Sequence, residues 1–268
     1  MRQSSILRAV GLVAAAVVLT AAAGVAHAQT APQCAIPSDL IRLSQPLSRV
    51  AMKLAAGQPI TIVAVGSSST AGAGASSPAG SYPSRLQVYL SEQFPRQKFT
   101  VINRGVNGEE INDMLRRFDA AVLSEKPDLV LWQLGTNSVL RDHPLDQGAA
   151  IREGVNRIKL AGADVVLIDP QFAPKVIAKV QCGDMVKLIG ATAKAENVSL
   201  FQRYELMRHW NVAGGMSFDK FISPDGLHLN DWSYDCWAKG LANAIAEAAT
   251  RPVATAGASS VSVSAKRR

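Results

Sequence analysis

Short, continuous apolar runs alternate along this chain with longer segments of helical periodicity. The apolar runs are predicted to be β-strands over residues 59–65, 99–103, 128–134, 164–168 and 198–201. Strands that are apolar on both faces are typical of a parallel sheet covered by helices, and the crossovers between such strands are right-handed. The pattern therefore predicts an α/β fold, a three-layer α/β/α sandwich with a central parallel sheet of about five strands.

The helical segments are predicted from apolar residues that recur every three or four positions. Helices are expected over residues 38–54, 82–94, 109–123, 146–160, 185–195 and 231–249. Asp231 is predicted to be the N-cap of the last helix. Because no repeat or linker divides these elements, one domain is expected over residues 29–250, a length that is ample for a core.

Residues 1–28 have the pattern of a secretory signal peptide. Two arginines precede an Ala-rich apolar run, and an A-x-A cleavage pattern ends at Ala28. The run is short for a membrane span of about 20 residues, so a cleaved signal is favoured over an uncleaved anchor. The sequence therefore predicts a periplasmic or secreted protein with no stable membrane insertion after cleavage.

The formal net charge of +7 is concentrated at the two ends of the chain. Six Lys and Arg residues lie in the predicted signal peptide and in residues 251–268, and the latter segment, which has no acidic residue, is predicted to be a disordered basic tail. The body between them is nearly neutral. A nucleic-acid partner, which needs clustered Lys and Arg on the folded surface, is therefore not expected.

The loops that follow the strands are where a ligand site is expected, because ligands of such folds bind beyond the carboxyl ends of the strands. Residues 66–74, after the first strand, read GSSSTAGAG. This loop lacks the Lys of a P-loop, the G-x-G-x-x-G of a dinucleotide site and the G-x-S-x-G of a nucleophile elbow. Two interpretations remain: a flexible Ser/Gly loop, or the nucleophilic serine of another hydrolase architecture.

Three further loops at the same sheet edge carry groups that a nucleophilic serine requires. Glycines within residues 103–108 allow backbone N–H groups to approach a ligand, and the Asn137 amide can donate to an oxyanion. Asp225 can fold back to orient the imidazole of His228, which then acts as a base. Each group has a simpler role in a turn, but their coincidence at one edge favours a serine hydrolase site.

In these four loops the sequence resembles the SGNH hydrolases, the GDSL-type esterase and lipase superfamily, over about residues 60–249. The G-D-S block corresponds to residues 66–68, N-x-G-x-x-G to residues 103–108, G-x-N-D to residues 135–138 and D-x-x-H to residues 225–228. The resemblance implies the flavodoxin-like fold of this family and a serine esterase, and the predicted signal peptide implies that this esterase is exported. Because the sequence has no long apolar lid segment, small acyl esters are expected as its substrates. It implies no metal and no cofactor, and the chain has no Cys/His cluster at metal-ligand spacing.

The resemblance also implies a role for each site residue. Ser68 corresponds to the nucleophile, His228 to the general base, and Asp225 to the carboxylate that orients it. The oxyanion hole corresponds to the backbone N–H groups of Ser68 and Gly108 and the side-chain amide of Asn137.

Two positions depart from the family pattern, since Ser67 and Ser138 stand where aspartates are usual. Neither aspartate is a nucleophile, a base or a direct oxyanion donor in the family, so an active esterase is favoured. Two alternatives remain open: a non-catalytic carbohydrate- or ligand-binding protein on the same fold, and an acyltransferase to sugar hydroxyls. The expected partner is a small-molecule or saccharide acyl ester, and the sequence does not indicate an oligomeric state.

Two aromatic residues and the cysteines complete the predictions. Tyr82 and Phe172 are candidates for the wall of an acyl or sugar pocket, with packing in the core as the alternative. The three cysteines beyond the predicted cleavage site allow three pairings. In the fold that the resemblance implies, Cys182 and Cys236 lie near the same sheet edge, so a Cys182–Cys236 disulfide is expected.

Overall fold

The computed structural model describes residues 33–143 and 146–251. The predicted signal peptide, residues 1–28, and residues 252–268 of the predicted tail lie outside the described residues. Arg251, which was assigned to the tail, belongs to the folded body. Its Nη2 donates to the carbonyl of Leu43 at 2.8 Å, and its Nε donates to the Glu247 carboxylate at 2.9 Å.

Five parallel strands form the central sheet, which confirms the predicted α/β architecture. They are β1 (Ile60–Gly66), β2 (Phe99–Gly105), β3 (Leu129–Gln133), β4 (Asp164–Ile168) and β5 (Ser199–Phe201), in the spatial order β2-β1-β3-β4-β5. The central strands are almost entirely apolar because both faces of the sheet are covered, and Val63, which pairs with Ile102 and Val130, is completely buried.

Twelve α-helices lie in the described part of the chain. They are α1 (Ser38–Ile41), α2 (Ser48–Ala55), α3 (Ser68–Ala71), α4 (Tyr82–Gln93), α5 (Ile111–Arg116), α6 (Phe118–Ala121), α7 (Thr136–Leu140), α8 (Gly148–Leu160), α9 (Pro174–Ile177), α10 (Cys182–Ala195), α11 (Arg203–Arg208) and α12 (Asp231–Thr250). Shorter 3-10 turns cover Pro78–Gly80, Leu123–Glu125 and Phe218–Lys220, and a π-helical turn covers His209–Ala213. None of the helices within residues 33–143 and 146–251 has both the length and the apolar character that a membrane span requires.

The helices cover both faces of the sheet because β2 lies on one side of β1 and the later strands lie on the other. The crossover from β1 to β2 runs one way and those from β3 to β5 run the other, so right-handed connections place their helices on opposite faces. Helix α4 packs against α12 on one face, and α8 packs against α10 on the other. The strand order reverses between β1 and β3, and the ends of these two strands are where a ligand site of this fold is expected.

Three helix predictions needed correction. The helix expected over residues 38–54 is divided into α1 and α2, since Pro46 lacks an N–H and disfavours helix at the preceding residue. The helix expected over residues 109–123 is interrupted at Arg117, whose guanidinium pairs with Glu109.

The third correction concerns the start of α12. Its N-cap is Asn230, whose side chain accepts the backbone N–H of Ser233 at 3.1 Å. Asp231, the predicted cap, instead accepts the backbone N–H of Ser76 at 2.8 Å. The carboxylate therefore anchors the segment between α3 and α4 to the last helix.

The predicted Cys182–Cys236 pairing is wrong, because Cys236 is bonded to Cys34. The two Cα atoms lie 5.5 Å apart, although 202 positions separate the residues in sequence. The segment after Cys34 runs along α12, with Ile36 against Gly240, which brings the two sulfurs together. Cys182 is a buried free thiol, and burial raises its pKa.

Candidate active site

Ser68 is the first residue of α3, directly after β1 and beside the point where the strand order reverses. The turn before it is fixed, because Ser67 donates both its backbone N–H and its hydroxyl to Gln133 Oε1, at 2.9 and 3.1 Å. A Cβ at Gly105, at the end of β2, would lie 2.1 Å from the backbone nitrogen of Ala71. Glycine at this position therefore lets β2 approach α3, and these contacts argue against a flexible loop.

His228 and Asp225 lie next to Ser68 in the order that nucleophilic catalysis requires. The Nε2 atom of His228 lies 2.8 Å from Ser68 Oγ, and its Nδ1 atom lies 2.5 Å from Asp225 Oδ2. Asp225 Oδ1 accepts the backbone N–H groups of Leu227 and His228, each at 2.9 Å. The D-x-x-H loop thus folds back on its own carboxylate, as its spacing predicted.

Asp225 supplies the negative charge in the row of contacts that runs from Ser68 through His228 to Asp225. Partial burial acts to raise its pKa, but the hydrogen bonds from His228 and Leu227 outweigh burial and hold the pKa below its ordinary value. An ionised carboxylate consequently faces the imidazole at neutral pH.

Within residues 33–143 and 146–251, no group of three or more His, Cys, Asp or Glu side chains is arranged to hold a metal ion.

Gly108 and Asn137 are the predicted oxyanion donors. A hydrogen bond connects the Asn137 side chain to the backbone of Glu109, the residue after Gly108. Gly108 has φ of +78°, a left-handed conformation that favours glycine. Asn137, in the first turn of α7, donates one amide hydrogen to the carbonyl of Glu109 at 2.8 Å. An amide nitrogen carries two hydrogens, so one remains for a ligand. The N–H of Ser68 begins a helix, where it has no intrahelical acceptor.

Gln133 and Glu110 take over contacts around the two serines that replace the usual aspartates. Gln133 accepts both donors of Ser67, as described above. The Ser138 hydroxyl is shared between Glu110 Oε2, at 3.2 Å, and Gln147 Oε1, at 3.0 Å, and the Glu110 carboxylate also contacts His143 and Arg141. Sequence reasoning missed both residues.

Tyr82 and Phe172, the two candidates for the wall of a pocket, are packed in the core, which was the alternative given for both. Tyr82 is completely buried on the inward face of α4, with its ring centroid 3.9 Å from that of Trp237. Phe172 is 9% exposed and lies behind Phe218, with ring centroids 5.7 Å apart. Phe218 itself lines an open groove of about 510 Å³. The groove is also lined by Pro174, Asp219, Pro224 and Gly226, and it therefore lies beside the D-x-x-H loop.

Comparison with protein families finds one match that covers most of the chain. The Non-GDSL lipase-like family matches residues 33–251. An acetylxylan esterase of Geobacillus stearothermophilus is 32% identical over 56 residues, which cover 21% of this chain and 26% of that protein. An arylesterase of Vibrio mimicus is 34% identical over 95 residues, which cover 35% of this chain and 46% of that protein. The chain therefore matches less than half the length of either curated relative.

Solved structures share the fold over longer stretches. A two-domain esterase active on acetylated mannans has a TM-score of 0.69 at 21% identity, covering 83% of this chain and 59% of that one. TesA has a TM-score of 0.59 at 23% identity, covering 70% of this chain and 99% of that one. At these identities the likeness shows a common fold.

Proposed function

Because the chain belongs to the Non-GDSL lipase-like family, we propose that it is a serine esterase that hydrolyses small acyl esters. The observation that carries the proposal is the line of contacts from Ser68 Oγ through His228 to Asp225, at 2.8 and 2.5 Å. A serine hydroxyl is a weak nucleophile until a base takes its proton, and that base must be held in the right tautomer. These three side chains meet both requirements.

In the first half of the reaction, Ser68 Oγ attacks the ester carbonyl carbon while its proton moves to His228 Nε2. The carbonyl electron pair moves to the oxygen, and the Asp225 carboxylate stabilises the imidazolium through Nδ1. Collapse of the tetrahedral intermediate breaks the bond to the leaving alcohol, which takes the proton from His228. The acyl group remains on Ser68 as an ester.

In the second half, a water molecule gives a proton to His228 and attacks the acyl carbon. Collapse of the second intermediate releases the carboxylic acid and returns the proton to Ser68. In both intermediates the negative oxygen is bound by the N–H groups of Ser68 and Gly108 and the free amide hydrogen of Asn137. Loss of one such donor costs about 10²–10³ in kcat.

Acetylated saccharides are the substrate class that we favour. The groove beside the D-x-x-H loop combines the aromatic ring of Phe218 with the carboxylate of Asp219 and two prolines. A mostly apolar cleft with a few polar groups is typical of small-molecule sites. One similar structure is an esterase active on acetylated mannans, and one curated relative is an acetylxylan esterase. Both findings support a saccharide leaving group.

Export is the remaining part of the proposal. Residues 1–28 have the pattern of a signal peptide, and disulfides such as Cys34–Cys236 persist mainly in oxidising compartments. Intact-mass analysis of the protein recovered from cytoplasm, periplasm and medium tests this. A chain that begins at Gln29 supports export, and a full-length chain confined to the cytoplasm contradicts it.

The enzymatic proposal is tested by comparing Ser68→Ala with the matched control Ser69→Ala. Ser69 lies in the same helical turn, but His228 contacts Ser68. Hydrolysis of p-nitrophenyl acetate, butyrate and octanoate is measured together with acetate release from acetylated xylan and mannan oligosaccharides. We expect Ser68→Ala to abolish both turnover and labelling by a fluorophosphonate, and Ser69→Ala to retain them.

Activity that survives Ser68→Ala would place the nucleophile elsewhere. A wild-type protein that neither turns over these esters nor reacts with the fluorophosphonate would indicate a binding protein. Acyl transfer to an added sugar in place of release to water would indicate an acyltransferase.

A further inference from the structure

Arg141 follows α7 directly and has no part in the mechanism above. Its Nη2 donates to the carbonyl oxygen of Gly108 at 2.9 Å. The guanidinium thereby joins the loop after β2 to the helix that carries Asn137. We propose that Arg141, held by Glu110, is a positioning residue that fixes the Gly108 N–H for the oxyanion, an inference that rests on the proposed esterase function.

The backbone around Gly108 needs such a contact because glycine is the residue with the greatest conformational freedom. The peptide group between Gly108 and Glu109 is held at both ends. Its carbonyl accepts from Arg141, and its N–H donates to the carbonyl of Val106 at 3.4 Å. With this peptide fixed, the direction of the Gly108 N–H depends on the rotation about a single residue. Without Arg141 the longer and weaker of the two contacts would remain alone.

Glu110 makes Arg141 a fixed donor. Its carboxylate pairs with Nη1 of Arg141, and its side chain is only 13% exposed. The same carboxylate accepts the Ser138 hydroxyl at 3.2 Å and lies 2.8 Å from His143 Nδ1. Glu110 also caps α5 in a reciprocal capping box with Asp113. Glu110 is therefore held through both its backbone and its side chain. A carboxylate held in this way fixes the direction of its charge-assisted contact with Arg141.

The charge on Glu110 is retained at neutral pH. Partial burial acts to raise its pKa, but the hydrogen bonds from Arg141 and His143 outweigh burial and lower it. The neighbouring residue Glu109 accepts the Asn137 amide through its carbonyl. Residues 108–110 therefore connect the two proposed oxyanion donors. From the side of α7, Arg141 donates to the Gly108 carbonyl and Asn137 donates to the Glu109 carbonyl.

This assignment has a kinetic signature. Arg141 acts on the donor that binds the transition state and makes no contact with the substrate in the proposed mechanism. Its removal should therefore lower kcat and leave KM unchanged, because an interaction made only in the transition state does not affect ground-state binding. The loss should be about tenfold, smaller than for deletion of a donor, because the N–H itself remains present.

The test compares Arg141→Met with Arg141→Lys, Glu110→Gln and the control Arg208→Met. Methionine keeps the aliphatic stem and removes the donors, whereas lysine keeps a donor for the Gly108 carbonyl. Arg208 is 50% exposed and pairs with Glu205 within α11, so its removal should not affect turnover. We expect about tenfold lower kcat for Arg141→Met, partial rescue by lysine, and an intermediate loss for Glu110→Gln, measured with p-nitrophenyl acetate.

Binding of a boronic acid that forms a tetrahedral adduct with Ser68 provides a second measurement. Its affinity should fall in parallel with kcat/KM in Arg141→Met, while the thermal unfolding midpoint reports any general loss of structure. Unchanged kcat, or a raised KM at constant kcat, in Arg141→Met overturns this inference alone. Wild-type protein without Ser68-dependent turnover overturns the proposed function and this inference together.

Discussion

The Asp225 carboxylate holds both the ring and the backbone of His228. One oxygen lies 2.5 Å from the ring Nδ1, and the other accepts the backbone N–H of His228 at 2.9 Å. The carboxylate thereby sets the tautomer in which Nδ1 carries the proton and Nε2 accepts one from Ser68. A single carboxylate therefore orients the imidazole of His228.

Replacement of Asp225 by Asn tests this relationship. The amide oxygen can still accept the backbone N–H groups, but the amide nitrogen presents a donor to Nδ1. His228 is then forced into the tautomer that cannot take the Ser68 proton. We expect kcat to fall by about 10⁴, the effect that the wrong histidine tautomer has on a Ser-His-Asp triad, with little change in KM or thermal stability. The control is Asp184→Asn, at an exposed carboxylate on α10. A loss of less than tenfold in kcat for Asp225→Asn would contradict the proposed role of Asp225 in orienting His228.

The Cys34–Cys236 disulfide closes a loop of 202 residues. A chain-entropy model gives about 5 kcal/mol for a loop of this length, and measured values are typically about 2–4 kcal/mol. We therefore expect Cys34→Ala to lower the free energy of unfolding by about 2–4 kcal/mol in urea titrations. Dithiothreitol should destabilise the wild type to the same extent and leave Cys34→Ala unaffected. Equal stability of the oxidised and reduced wild type, or a disulfide at Cys182, would contradict this prediction.

Asp169 is a buried acid whose titration should affect folding. Burial raises its pKa to about 7, although the backbone N–H of Tyr204 donates to its carboxyl at 2.9 Å. The pKa of an unfolded aspartate is about 3.9. Between these two values the folded state binds a proton that the unfolded state does not. The free energy of unfolding should therefore fall as pH rises from about 4 to 7, by roughly 1–4 kcal/mol.

Asp169→Asn should remove this pH dependence while keeping an oxygen for the Tyr204 N–H. Burial lowers the pKa of the neighbouring Arg203 to about 10, so this cation keeps its charge throughout the window. Urea titrations at pH 5, 6, 7 and 8 should show that the variant gains stability relative to the wild type as pH rises. Parallel curves for the two proteins would contradict the prediction, and Asp184→Asn should follow the wild type.

The sheet could be predicted from the sequence because burial on both faces leaves a continuous apolar run. Strand β4 spans the predicted residues 164–168, whereas β2 extends two residues past its expected end to Gly105. Helix boundaries depend on contacts between distant residues, and propensity does not report these. Arg117, at which a predicted helix is interrupted, pairs with Glu109 of the loop before that helix, and Asp231 binds the distant N–H of Ser76 instead of capping α12.

The family and the geometry of the predicted site followed from four short motifs. The family match over residues 33–251 confirms the resemblance, and Ser68, His228 and Asp225 lie in one hydrogen-bonded line. Their catalytic roles stay predictions. The disulfide and the contacts of Arg141 could not be predicted, because each joins segments whose proximity exists only in the folded chain. Gln133 did leave a signal, since it is a lone amide in an otherwise apolar buried strand.

Gln133 supports the turn that carries Ser68, and its removal should therefore affect both stability and turnover. The side chain is 1% exposed, and its Oε1 accepts the N–H and hydroxyl of Ser67 and the hydroxyl of Thr70, at 2.9, 3.1 and 3.2 Å. Gln133→Leu would leave these buried donors without an acceptor, at a cost of about 1–3 kcal/mol for each unsatisfied group. Because three donors are affected, we expect the free energy of unfolding to fall by at least about 3 kcal/mol and kcat to fall with it.

A double-mutant cycle with Ser67→Ala separates this contact from a general loss of packing. Removing the Ser67 hydroxyl leaves one fewer unpaired donor in the Gln133→Leu background, so the double variant should be more stable than the sum of the single losses predicts. Residues in direct contact typically show coupling of about 0.5–3 kcal/mol. Gln93→Leu, on an exposed part of α4, should leave stability nearly unchanged. Strict additivity of Ser67→Ala and Gln133→Leu would mean that Gln133 does not act on the turn through Ser67.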